Sequence, residues 1–104
     1  ISIPVSDKNV DHSYHLYPVK ISFEMIKISK VQFFKQMLRK KISLQVHYIP
    51  IHMQPFYKKR YGFKEGDFPN AEKFYKKEVS LPVYPLLKKK EQEHVIDSIK
   101  NILN

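Results

Sequence analysis

The 104 residues contain no cysteine and no tryptophan, and only two glycines. No apolar run approaches the ~18 residues that a bilayer crossing needs. Without cysteine there are no disulfides and no thiolate metal sites, which fits a cytoplasmic protein. With Gly62 and Gly66 as the only glycines, no glycine-rich phosphate loop can be assembled. Arginine is almost as scarce: Arg39 and Arg60 stand alone among the 19 basic residues. No signal peptide is visible, and a first residue of Ile1 leads us to expect a processed, partial or excised sequence.

What is present describes one small globular domain. Hydrophobic residues make up 42% of the chain, and seven Phe with seven Tyr supply bulk for a modest core. The net charge of +9 raises a nucleic-acid reading. Its distribution argues against one. Residues 1–57 hold 8 basic and 3 acidic groups and residues 58–104 hold 11 and 7, so the excess is spread along the chain. Lysine dominates, and few guanidinium groups are available to fork onto phosphate or guanine. A solvated lysine-rich surface is the simpler account.

Strands and helices alternate with no long linker, repeat or low-complexity tract. Residues 1–11 are polar and irregular. Residues 13–21 read as a strand, with Pro18 placing it at an edge or a bulge. Ser29 followed by Gln32 is a capping box, and Val31, Phe34, Met37 and Leu38 at helical spacing predict a helix over 30–40. A second strand is expected over 43–49 and a short helix over 54–61. Gly62 to Gly66 reads as a turn. A further helix runs to about Glu78, with Asp67 as its N-cap and Pro69 in its first turn. Ser80 to Val83 is a short extended segment. The last helix, over 89–103, carries Val95, Ile96, Ile99, Ile102 and Leu103 on one face. The predicted fold is α+β, a small, mainly antiparallel sheet with helices packed on it.

The segment Gln45-Val46-His47-Tyr48-Ile49-Pro50-Ile51-His52-Met53-Gln54-Pro55-Phe56-Tyr57 carries the most chemistry. It alternates like a strand until Pro50 withholds a backbone donor, where polar side chains accumulate. A strand ending in His, Tyr and Gln suits a polar ligand: imidazoles and phenols bond hydroxyl and phosphate oxygens, and aromatic faces pack on a sugar or base. His47 and His52 do not read as metal ligands. Their spacing of five, across a proline, matches no metal motif, and no carboxylate lies near them in sequence. His12, Tyr14 and His15 form a second cluster, read as a half-buried strand edge. His94 reads as a surface residue, and Tyr57, Tyr61, Phe63, Phe68, Phe74 and Tyr75 as packing.

The segment from Gln45 resembles H-Y-x-P-x-H-x-Q-P-x-Y near the C-terminus of the DegT/DnrJ/StrS sugar aminotransferases. Three other collinear blocks are similar to that family: His12-Ser13-Tyr14-His15-Leu16-Tyr17-Pro18, Asp67-Phe68-Pro69-Asn70-Ala71-Glu72 and Ser80-Leu81-Pro82-Val83-Tyr84-Pro85. The branch acting on UDP-linked 4-keto sugars in pseudaminic acid synthesis is closest in wording. The resemblance implies the C-terminal small domain of a fold-type I aminotransferase, over residues 12–104, with residues 1–11 as a connection from a large domain. It implies pyridoxal phosphate as cofactor, a UDP-sugar and glutamate as substrates, and a homodimer. Its substrate-contacting positions would be Gln45, His47, Tyr48, Ile49, Pro50, His52 and Gln54, with His52 near the sugar. The family's Schiff-base lysine lies in a Ser-x-His-x-x-Lys-like block with no counterpart here, so neither catalytic nor cofactor-binding residues are expected in this chain. Its lysines sit in solvated runs such as Lys58-Lys59 and Lys88-Lys89-Lys90, where nothing would depress their pKa.

Departures from the family pattern are local. Lys41 stands where a glycine usually ends a helix, and must turn left-handed or reshape the turn. Lys30 replaces an arginine, and Lys88 a capping threonine. Two rival readings remain: a stand-alone nucleotide-sugar-binding module without catalysis, and a basic nucleic-acid-binding domain whose affinity would fall steeply with salt.

Overall fold

A computed structural model describes residues 1–104. Its elements in chain order are β1 (Tyr17–Lys20), α1 (Lys30–Arg39), α2 (Pro55–Tyr61), α3 (Pro69–Lys77), β2 (Glu78–Leu81) and α4 (Lys89–Leu103), with single 3-10 turns at Phe23–Met25 and Ile51–Met53. β1 and β2 pair antiparallel, with Tyr17 opposite Leu81, Val19 opposite Val79 and Lys20 opposite Glu78. Isolated antiparallel bridges widen this ribbon on both sides, Ser2 to Lys20 and Gln45 to Ser80. The architecture is the small α+β fold that the residue pattern predicts. No helix is long and apolar enough to cross a membrane.

Directly paired residues share a face of a sheet. Tyr17, Val19, Val79 and Leu81 therefore present one apolar face. Onto it pack Phe33 and Met37 of α1 and Val95 and Ile99 of α4, each pair four residues apart and so on one helix face. Ile21 and Ile42 complete the buried cluster. The opposite face carries Glu78 and Ser80, both buried and both polar.

Several boundaries differ from expectation for identifiable reasons. The strand predicted over 13–21 shortens to Tyr17–Lys20, because Tyr14 takes a positive φ of 47° and its N–H bonds back to His12 Nδ1 at 2.9 Å. His12, Tyr14 and His15 are thus exposed in a turn and do not form a half-buried edge. The strand predicted over 43–49 collapses to the single bridge at Gln45. There the next ladder donor, His47 N–H, goes to the Glu78 carboxylate at 3.1 Å in place of a backbone carbonyl. The His47–Tyr48 peptide is cis. In α1 the buried face is Phe33 with Met37, while Val31 and Leu38 face solvent. Asp67 does not cap α3. It accepts from Lys64 N–H at 2.9 Å, and the first turn of α3 is served from within by Glu72, which accepts from Phe68 N–H at 3.4 Å. β2 begins two residues earlier than the extended segment expected at Ser80.

The capping box forms as read: Gln32 N–H donates to Ser29 Oγ and Ser29 N–H to Gln32 Oε1. At the other end of α1, Lys41 takes φ 62°, as its place in a glycine position requires. Ile42 N–H bonds Met37 O at 3.0 Å and Lys41 N–H bonds Leu38 O at 2.8 Å, a Schellman ending. A side chain in this conformation costs about 1 kcal/mol. Lys41→Gly is therefore expected to stabilise the chain by about 0.5–1 kcal/mol, since glycine's greater freedom when unfolded takes back part of the gain. A raised urea midpoint at unchanged slope checks it. His94 is exposed, as expected, yet its Nε2 reaches Lys40 O at 3.0 Å and so ties α4 to this turn.

Candidate functional site

The sequence segment rich in His, Tyr and Gln is divided between two places. Its first half joins a cleft of about 310 Å³ lined by His15, Gln45, His47, Ser80 and Tyr84 among others. These residues come from three of the four motif blocks, which are distant in sequence. The bridge from Gln45 to Ser80, with bonds of 2.9 and 3.2 Å, sets the segment along β2. Ser80 and Glu78, on the polar face of β2, then meet His47. Its ring Nδ1 lies 2.8 Å from Ser80 Oγ, Ser80 Oγ donates to Glu78 Oε1 at 2.5 Å, and its backbone N–H donates to Glu78 Oε2. Glu78 is fully enclosed, so its carboxylate requires these donors.

The second half is anchored elsewhere. His52 is 5% exposed, its Nε2 is 2.8 Å from Glu72 Oε1, and its ring packs on Phe68 at 4.7 Å. Glu72 also accepts from Gly66 N–H at 2.8 and 3.1 Å. The Gly66 N–H, then His52, hold the Glu72 carboxyl below the usual carboxylate range. A carboxylate does lie beside His52, supplied by the third motif block from twenty residues away. No cluster of three His, Asp or Glu side chains that could hold a metal accompanies it.

The expected substrate positions are accordingly spread. Gln45 and His47 line the cleft; Tyr48, Ile49, Pro50, His52 and Gln54 do not. Tyr48 and Ile49 are exposed, with the Tyr48 ring edge-on to His47 at 4.7 Å. Pro50 opens the Ile51–Met53 turn, and Gln54 ends it. His52 is enclosed behind them. Residue-by-residue reading missed Ser80, Glu78, Glu72 and Tyr84, and took His15 for part of a strand edge. The signals were present, since Ser80 and Tyr84 lie in the Ser-Leu-Pro-x-Tyr block and Glu72 in the Asp-Phe-Pro-x-Ala-Glu block. Desolvation, then the nearby Glu91 carboxylate, pushes the Tyr84 phenol up.

One lysine does not match the expectation of uniformly solvated ammonium groups. Burial depresses the pKa of Lys30, partly opposed by the Glu78 charge. Its Nζ donates to Tyr75 O at 2.7 Å and sits over the Tyr75 ring at 5.0 Å. A Schiff base there would have to break that bond, and the chain has no glycine-rich loop to cradle a phosphate. The residues of this chain do not fit a pyridoxal phosphate site. The six aromatic residues read as packing are less enclosed than expected. Tyr57, Tyr61, Phe68 and Phe74 are exposed, but Tyr57, Tyr61, Phe63 and Phe68 make a run of ring contacts 5.4–6.1 Å apart that ends on His52.

Comparison with known proteins bears on this arrangement. Residues 1–100 match the model of the DegT/DnrJ/EryC1/StrS aminotransferase family. An uncharacterised protein of Methanocaldococcus jannaschii is 41% identical over 101 residues, 97% of this chain and 26% of that protein. The UDP-4-amino-4,6-dideoxy-N-acetyl-beta-L-altrosamine transaminase of Campylobacter jejuni is 37% identical over 91 residues, 88% of this chain and 23% of the transaminase. The solved structure of Helicobacter pylori PseC, an aminotransferase of pseudaminic acid biosynthesis, superposes with a TM-score of 0.75 at 26% identity, covering 86% of this chain and 23% of PseC. The chain thus spans about a quarter of the length of the relatives it matches.

Proposed function

The chain belongs to the DegT/DnrJ/EryC1/StrS aminotransferase family, and from that membership we propose that its residues work as the C-terminal small domain of a transaminase dependent on pyridoxal phosphate. The whole enzyme would pass an amino group from glutamate to a UDP-linked 4-keto-6-deoxy sugar in the synthesis of pseudaminic acid or a related surface glycan. The cofactor and its lysine would belong to a large domain preceding residues 12–104, with residues 1–11 as the connection and a homodimer as the working unit. The observation that carries this reading is the meeting of three motif blocks at one cleft, where His15, Gln45, His47 and Tyr84 offer hydrogen bonds to a polar ligand. The similarity to the Campylobacter transaminase supports the choice of a nucleotide-linked sugar. An open apolar groove lined by Ile1, Ile3, Val83, Leu87 and Ile96 supports the domain assignment, as a surface that a larger chain would cover.

In this reading Gln45 and His47 face the ligand from the cleft wall. Tyr48, Ile49, Pro50 and Gln54 continue the same segment outside the cleft and meet the part of the ligand that extends beyond it. His52 acts from behind, holding the segment to α3 through Glu72. The test uses the whole enzyme. His47→Ala and Tyr48→Phe are expected to lower kcat/KM for the keto sugar by about 10- to 100-fold each, the size of one lost ligand hydrogen bond. The absorbance of bound cofactor should stay unchanged in both. Unaltered kinetics in the pair would remove this segment from the site.

A further inference from the structure

We propose that Glu78 and Ser80 are positioning residues that hold His47 as its Nδ1–H tautomer, so that Nε2 faces the cleft as a hydrogen-bond acceptor. Glu78 as a carboxylate only accepts, and Oε1 takes the hydroxyl proton of Ser80. Ser80 has no second proton to give, so its oxygen meets His47 Nδ1, 2.8 Å away, as an acceptor. Nδ1 must then carry the hydrogen, and a neutral ring leaves its lone pair on Nε2. Nε2 has no partner within the chain, whereas Nδ1 and the backbone N–H of the same residue are both committed to the buried pair. Glu78 thus acts on His47 twice, through its backbone and through Ser80, and fixes both the place of the ring and its polarity.

The consequence concerns ligand choice and rests on the cleft being the substrate site. An Nε2 lone pair attracts a group that donates, such as a sugar hydroxyl or an amide N–H, and repels phosphate or carbonyl oxygens. His47 therefore reads the sugar ring and leaves the diphosphate to other groups. The free form of histidine favours the opposite tautomer, so the structure imposes a choice that solution chemistry does not.

Long-range 1H–15N correlation spectra of the 104-residue chain at neutral pH read the tautomer directly, without ligand. The expected spectrum has His47 Nδ1 protonated and Nε2 at the unprotonated position. Ser80→Ala should move His47 toward the Nε2–H form, and Ser80→Thr, which keeps a hydroxyl, should restore the original pattern. An Nε2–H pattern in the unaltered chain overturns the proposal, as does an unchanged tautomer in Ser80→Ala. Should Ser80→Ala fail to fold, the spectrum of the unaltered chain decides alone. UDP and UDP-N-acetylglucosamine are then added separately to the whole enzyme. A shift of the His47 Nε2 signal with the sugar nucleotide and none with UDP upholds the sugar-facing role, and equal shifts overturn it. If neither probe moves it while the tautomer is as expected, the relay stands and the substrate reading of the cleft falls.

Discussion

His52→Ala is expected to cost the chain about 3 kcal/mol of folding stability, the range for breaking a buried, hydrogen-bonded pair from one side. The ring fills an enclosed site against Phe68 and supplies a donor to Glu72, so its removal leaves both a void and a weakened carboxylate site. It also unties the Ile51–Met53 turn from the start of α3, two elements that have few other contacts to hold them. The pair gives the chain an acid limb as well. The folded pKa of Glu72 lies below its ordinary value of 4.5. Its contribution is therefore complete above that value and is lost as pH falls through the depressed one. Urea unfolding at about pH 7 and about pH 3.5 should show a steeper loss in the unaltered chain than in Glu72→Gln, which has no carboxylate to protonate. Equal losses would mean that Glu72 carries no linkage of this kind.

Phe33→Ala should cost as much or more, about 3–5 kcal/mol. Phe33 is fully enclosed, four residues before Met37 on α1, and meets the Phe23 ring at 5.8 Å. A domain of this size has a total stability on the order of 5–15 kcal/mol, so one such cavity removes a large part of it. Phe56 makes the contrast, at 63% exposure. Phe56→Ala is expected to stay within about 0.5 kcal/mol by the same denaturation measurement. Similar losses at the two positions would contradict the placement of the core between the sheet and helices α1 and α4.

The helices were legible because periodicity and caps act locally. Ser29 with Gln32, Pro55 and Pro69 at first-turn positions, and Gly62 at φ 70° ending α2 each need only their neighbours. The fate of residues 43–49 was not legible, because it is decided by Glu78, thirty-one residues away from His47. Alternation in Leu44 to Ile49 does describe a strand, yet a carboxylate on β2 captures the donor that would extend the ladder. The site divides along the same line. The motif blocks marked where chemistry gathers, and their order said nothing of which blocks touch. The first and fourth meet the Gln45–His47 end of the segment, and the third meets His52. The buried carboxylates, Glu72 on the His52 ring and Glu78 on the His47 backbone N–H, could not be inferred from spacing, since they come from twenty and thirty-one residues further along the chain. Lys30 makes the same point, as a lysine next to a capping serine whose ammonium is partly buried against Tyr75.

In the proposed function the cleft beside β2 receives the sugar of a nucleotide-linked substrate. The most direct test is the crystal structure of the whole enzyme with a UDP-linked sugar bound. A sugar hydroxyl or amide N–H is expected within about 3 Å of His47 Nε2, with Gln45 on the same ligand and His52 still paired to Glu72. A sugar bound away from residues 45–54, with His47 facing solvent, would contradict this reading.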